Sequence, residues 1–227
     1  MHHSHWSCVT FGQNFSLLDV GHGTGESLLL LLSEPSLPRL SHLVGITSLK
    51  VHHDRSRARI RSMSGPIKPT TVDLHATNAV HDGSYTLHPL SPYSPQRFDS
   101  ILALDCAYHF RTRKLFLEQS FARLSPGGSI ALADMCFADS HRIKILTRVF
   151  GTVPAENVIS KEDYIKQMQE IGYVDVILED ISDDVFPGFV RFLKDRGWGW
   201  WIFGAVMNVY YREGLRFVIV SGTRPHM

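Results

Sequence analysis

A short apolar run (Phe15, Leu17, Leu18, Val20) holds an acid, Asp19, near its end. It then gives way to glycine at Gly21, Gly23 and Gly25, and a leucine-rich stretch resumes at once. Few folds tolerate this arrangement. Residues without a Cβ adopt positive φ and let a ligand lie against the backbone, here at the positively polarised start of the coming helix. A strand, glycine loop and helix in this order belong at the carboxyl edge of a parallel sheet, where doubly wound folds bind nucleotide-like ligands.

The spacing narrows the ligand. Dinucleotide sites use G-x-G-x-x-G, and phosphate loops need G-x-x-x-x-G-K-[ST]. Residues 17–27 read LLDVGHGTGES, a G-x-G-x-G pattern with an acid two positions ahead and no lysine behind. A dehydrogenase reading is disfavoured, since the third glycine comes one residue early.

Further along, β-like and α-like segments alternate. A helix over Glu26–Leu32 is broken at Pro35 and Pro38, and His42–Ile46 is a short strand ending at Thr47 and Ser48. A cationic helix over Leu49–Ser62 is stopped by Gly65 and Pro66, and Thr71–Ala76 is a third strand. A polar loop from Asn78 to Gln96 precedes Phe98–Leu104, whose near-continuous apolarity fits a strand covered on both faces. Arg111–Leu124 is helical, 125–128 is a turn, and Ser129–Ala133 is the fifth strand. Ser160 and Asp163 form a capping box for a helix over Lys161–Ile171, closed by Gly172. Tyr173–Leu178 and Leu215–Val220 are the last strands. The fold class is therefore α/β, a Rossmann-like, doubly wound, mostly parallel sheet of about seven strands. The segment between the last two strands is crowded with aromatics and too long for a hairpin loop. It is expected to be an insertion with its own helices, 181–212, acting as a lid and substrate pocket within a single domain spanning 1–227.

Composition excludes several classes. Of 227 residues, 44% are hydrophobic and 20% charged, as in soluble globular chains, and the net charge of +1 offers no field for nucleic acid. Three scattered cysteines (Cys8, Cys106, Cys136) make neither a disulfide framework nor a zinc site and suggest a reducing compartment. The longest apolar run, Leu28–Leu32, cannot span a membrane, and the start resembles neither signal nor transit peptide, so cytoplasm is expected. The histidines at 2, 3 and 5 lack the companion carboxylates of a metal site, and no metal is expected anywhere.

Taken in order, these segments resemble the class I S-adenosylmethionine-dependent methyltransferases, in particular their small-molecule branch of sterol, tocopherol, phosphoethanolamine and glycoside enzymes. DVGHGTG resembles the family's first motif, with His22 where cysteine is usual. FDSILALDCAYHF resembles its fourth-strand motif, RTRKLFLEQSFARLSPGG with IALAD the next, and EDYIKQMQEIGYVDV its late helix and strand. The resemblance implies S-adenosyl-L-methionine as cofactor, held by Asp19, Gly21, His22, Gly23, Gly25, Thr47, Ser48, Asn78 and Ala79, with Asp105 and Cys106 flooring the methyl group. Thr47 and Ser48 stand where the family usually has a ribose-binding acid, and Asn78-Ala79 where it has Asp-Ala. An asparagine oxygen still accepts the adenine amine's hydrogen bond. Relatives usually carry helices ahead of the first strand that close over the cofactor, and little chain precedes Phe15 here.

The resemblance places Tyr108 and His109 beside the acceptor. Methyl transfer, an in-line displacement at a carbon already activated by its sulfonium, relies on orientation, but a hydroxyl nucleophile must also lose its proton, and histidine serves as base for that. His109 is thus the expected base, with Tyr108 alongside and Asp134, at the end of the fifth strand, orienting its ring. The acceptor is expected to be a small apolar or aromatic metabolite, with the aromatic insertion, including Trp200, Trp201 and Phe203, as its walls or core. A membrane-interface surface is a further reading of those aromatics, opposed by the acids Asp183, Asp184 and Asp195 among Arg191, Lys194 and Arg196. The rival class is a catalytically inactive relative serving as a binding or partner module, because fold alone does not fix function. The fourth strand lacks the [DN]-P-P-[YF] run of enzymes acting on nucleic-acid amines.

Overall fold

The structure is a computed structural model describing residues 15–63, 70–138 and 153–226. The stop signal at Gly65 and Pro66, Cys8 and the early histidines lie outside these residues. Among the described residues, seven strands form one sheet in the order β3-β2-β1-β4-β5-β7-β6, with β7 antiparallel to both its neighbours. They are β1 (Phe15–Val20), β2 (Leu40–Thr47), β3 (Thr71–Ala76), β4 (Phe98–Leu104), β5 (Leu124–Phe137), β6 (Val174–Asp180) and β7 (Leu215–Thr223). The helices are α1 (Glu26–Ser33), α2 (Lys50–Arg61), α3 (Arg113–Arg123), α4 (Lys161–Ile171), α5 (Ser182–Lys194) and α6 (Trp198–Arg212). The Rossmann-like sheet expected from the segment order is the one observed.

The chain reverses its strand order between β1 and β4, and that switch point positions the site. Both strands are central, and Leu18, Val20, Ile101 and Ala103 are buried in the main core together with Phe98, Phe116 and Ile130. A second cluster of Leu17, Leu28, Leu32 and Leu43 seats α1 against β1 and β2. Polar residues then accumulate where β1, β2 and β4 end, because the parallel pairing brings their carboxyl ends to one edge.

Several boundaries differ from those expected. The turn at 125–128 lies inside β5: the pairing runs from Phe98↔Leu124 to Ser100↔Ser129, so extra residues bulge from one strand without ending it. Gly128 fits this bulge tightly, since a Cβ there would sit 2.9 Å from the Ser125 oxygen and 3.0 Å from the Phe98 oxygen. β5 also continues to Phe137 because β7 pairs along its whole outer side, from Ser129↔Thr223 to Phe137↔Leu215. α3 begins at Arg113, after Thr112, whose hydroxyl accepts the Leu115 amide at 3.3 Å. Ser160 caps α4 as expected, accepting the Asp163 amide at 3.0 Å.

The insertion does contain two helices. α5 and α6 run antiparallel, with Tyr211 donating to Asp183 at the end nearer the sheet. At the other end Lys194 lies 5.6 Å from the Trp201 ring centroid. Gly204 permits their approach: a Cβ there would come within 3.2 Å of the Val190 oxygen and the Leu193 Cβ.

Candidate functional site

The β1–α1 loop turns on glycine. Gly21 has φ +81° and packs against β4's end so closely that a Cβ would lie 2.5 Å from Cys106 Sγ. Gly23 has φ +53°, and a Cβ there would meet nothing within 4 Å, so its free face is the open floor of a cradle. That floor belongs to a cavity of about 760 Å³ lined by Gly21, Gly23, Thr47, Ser48, Asn78, Ala79 and Cys106. It lies within the roughly 300–1,000 Å³ typical of ligand sites. Ile46, Leu49, His52, Val80 and Arg111 complete much of its wall, and sequence reasoning singled out none of them.

Three residues expected at this ligand lie behind it instead. Asp19 is 1% exposed and accepts the Ser27 hydroxyl at 2.6 Å, tying β1 to α1 beneath the loop. Burial raises its carboxyl to about 6. His22 is buried below the loop, with Nδ1 3.1 Å from the Gly23 oxygen and its ring wedged over Gly45. Burial pushes it down to about 4, and its buried Nε2 has no hydrogen-bond partner among the described residues. Gly25, at φ +96°, faces Ser56 of α2. These residues shape the loop from below and do not line the cavity.

A second cavity, of about 550 Å³, adjoins the first. Phe186, Phe189, Ile202, Phe203 and Met207 of the helical hairpin close it over Met135, Phe137 and Phe217 of the sheet. Its polar residues at the sheet edge are Asp105, Tyr108 and His109, so Asp105 lies on this side and only Cys106 floors the first cavity. Among the described residues, His109 alone lines both. Phe203 stands in the wall as expected. Trp200 and Trp201 do not, because the hairpin turns them outward and each is 53% exposed.

His109 sits in a one-turn 3-10 helix, Ala107–His109, directly after β4. Tyr108 packs beside it, ring centroids 4.2 Å apart, and donates its hydroxyl to Asp105 Oδ1 at 3.0 Å. Burial, reinforced by the Asp105 charge, holds the Tyr108 phenol firmly protonated. Asp105 takes a left-handed φ of +55°, uncommon for a residue with a side chain. Burial raises its carboxyl as well. Burial likewise raises the Cys106 thiol, which therefore stays a thiol and offers no thiolate nucleophile.

Asp134 is not beside His109. It is fully buried, and its Oδ2 accepts from the Arg113 guanidinium at 2.7 Å and the Tyr164 hydroxyl at 2.8 Å, while Oδ1 has no hydrogen-bond partner among the described residues. A carboxylate so placed anchors a buried cation and cannot reach the acceptor. The residue that does hold the His109 turn is Asn157, which sequence reasoning missed. Its amide donates to the Tyr108 oxygen at 3.0 Å and the Phe110 oxygen at 2.8 Å, the carbonyls on either side of His109. Asn157 is held in turn by Arg113, which donates its backbone amide to Oδ1 at 2.9 Å and its guanidinium to the Asn157 backbone oxygen at 2.5 Å. On the first cavity's far wall, buried His88 steadies Asn78. The Leu90 amide donates to His88 Nδ1 at 3.0 Å, which leaves Nε2 as the donor to the Asn78 oxygen at 2.9 Å.

No family model matches the chain. It is 31% identical over 111 residues to the erythromycin 3''-O-methyltransferase of Saccharopolyspora erythraea, covering 44% of this chain and 36% of that protein. An O-methyltransferase of Aspergillus sclerotiorum is 25% identical over 182 residues, 79% of this chain and 62% of its own length. The chain thus spans from about a third to under two thirds of these relatives. Among solved structures, phosphoethanolamine N-methyltransferase 2 of Haemonchus contortus, in complex with S-adenosyl-L-methionine, superposes with a TM-score of 0.70 at 14% identity. That likeness covers 95% of this chain and 50% of the other. The fold is thus that seen in class I methyltransferases, and part of the sequence is similar to O-methyltransferases.

Proposed function

We propose that the chain transfers a methyl group from S-adenosyl-L-methionine to a hydroxyl of a neutral, apolar small molecule. One observation carries the reading: two cavities meet at His109, one floored by the glycine loop and the other walled almost entirely by apolar side chains. Gly21 and Gly23 would admit the cofactor's amino-acid tail against their backbone, Thr47 and Ser48 would face the ribose, and Asn78 with Ala79 the adenine. The cofactor supplies a methyl carbon already activated by its sulfonium.

The chain's own residues do the rest. The hairpin and the β5–β7 surface exclude water and orient the acceptor, which is the main resource for an in-line displacement. His109 faces the acceptor and takes the hydroxyl proton as the new carbon–oxygen bond forms. Tyr108, its one O–H already donated to Asp105, packs against the His109 ring and helps fix its position. The described walls of the acceptor cavity are mostly apolar side chains, which favours an apolar acceptor. The test is methyl transfer from labelled cofactor to a panel of hydroxylated apolar acceptors, set against their phosphorylated counterparts. Labelled product should form from the former alone, and exclusive use of phosphorylated or amine acceptors would refute this assignment.

A further inference from the structure

The hairpin tip is chemically unlike the rest of the surface. Every residue from Asp195 to Phe203 is exposed, and the run contains Trp198, Trp200, Trp201, Ile202 and Phe203. Trp198 is 79% exposed, and Phe192 of the preceding turn is 51% exposed. Since each large aromatic carries roughly 150–250 Å², this one tip presents apolar surface of several hundred Å², beyond the scattered exposure normal for a soluble chain. Three of the chain's four tryptophans stand on it.

The charges around the tip are segregated. Arg191, Lys194 and Arg196 surround the aromatics with only Asp195 of opposite sign, and Lys194 and Arg196 lie against the Trp201 and Phe192 rings. Asp183 and Asp184, which in sequence appear to cancel these cations, start α5 at its far end. At 1.5 Å per residue they lie about 15 Å away along the helix, beyond a Debye length of about 8 Å at physiological ionic strength. The tip therefore presents indole rings beneath a cationic rim, the composition that seats in the headgroup zone of an anionic bilayer. Among the described residues no helix is long and apolar enough to cross a membrane, so such contact is interfacial.

The tip is also continuous with the acceptor cavity. Gly199, Ile202 and Phe203 line that cavity, and Ile202 and Phe203 are 46% and 45% exposed, so the inner wall and the outer patch share residues. We infer that the tip from Phe192 to Phe203 docks on membrane surfaces containing anionic lipid, seating the distal wall of the acceptor cavity at the apolar boundary. The docking stands on exposure and charge alone. Only its use, the entry of an apolar acceptor from the lipid phase, rests on the function proposed above.

The test needs neither cofactor nor acceptor. The chain is floated with vesicles of phosphatidylcholine, with or without phosphatidylglycerol, while tryptophan emission is recorded. The chain should float with the anionic vesicles, its emission shifted to the blue and quenched by brominated acyl chains. Replacing Trp198, Trp200 and Trp201 together by Ser should abolish flotation, and since all three are exposed the unfolding midpoint should hold. Lys194→Gln and Arg196→Gln, which keep all three indoles, should each weaken anionic binding about fivefold, as expected for a cation near such a surface. Absence of flotation, or flotation undiminished in the tryptophan variant, would overturn the inference. So would blue-shifted emission without vesicles in a chain that sediments as a dimer, since a second copy would then cover the tip.

Discussion

Removing the Asp134 carboxylate should be among the costliest single changes in this chain. Arg113 is 1% exposed, and Asp134, fully buried, is its ion-pair partner. In Asp134→Ala the guanidinium keeps only the Met135 and Asn157 oxygens, and the Tyr164 hydroxyl loses its acceptor. Breaking a buried pair from one side typically costs about 3–5 kcal/mol. With an m-value of about 3 kcal/mol per molar urea, the midpoint should fall by about 1–1.7 M. Asp134→Asn retains an acceptor and removes only the charge, so its loss should be smaller. The decisive comparison adds Arg113→Met: once the carboxylate is gone, removing the stranded cation should recover part of the loss, so the double variant falls well short of the sum. Strict additivity, or a loss below about 1 kcal/mol for Asp134→Ala, would refute the anchoring role and reopen a place for Asp134 in the chemistry.

Other expectations follow from the same geometry. Asn157→Ala strips hydrogen bonds from the carbonyls beside His109, and should lower turnover by at least tenfold while cofactor affinity, by calorimetry, changes little. Gly21→Ala combines positive φ with a Cβ 2.5 Å from Cys106 Sγ, and should lower both thermal stability and cofactor binding. Asp19, raised to about 6 when folded, binds its proton more tightly than in the unfolded chain, so it contributes stability below pH 4 that is lost as pH rises to about 6. That contribution is about 3 kcal/mol. His22, lowered to about 4, acts oppositely, its stability being lost as pH falls from 6.5 toward 4. Urea midpoints across pH 4 to 7 should therefore rise with pH more steeply in Asp19→Asn than in wild type, and less steeply in His22→Asn.

What was legible in the sequence was what local chemistry fixes. The glycine loop, the Ser160 cap and the strand periodicities are set by residues close in the chain, and the structure places them where sequence spacing does. Asn157 carries no such mark: it contacts residues 108 and 110, nearly fifty positions away, and only the packing of the turn at 155–157 against α3 brings them together. Asp19 and Asp134 look alike in sequence as strand-borne acids, and both proved to be buried supports because α1, α3 and α4 cover them. The tryptophans misled for the opposite reason, since residue type favours burial while the hairpin's turn puts them in solvent.

The central claim is that the glycine-floored cavity holds the cofactor with its reactive end toward His109. A crystal structure of the chain grown with S-adenosylhomocysteine tests it most directly. The account predicts density over Gly21 and Gly23, with the sulfur facing His109 and the apolar cavity beyond it. Density elsewhere, or none at millimolar concentration in a well-ordered crystal, would contradict it.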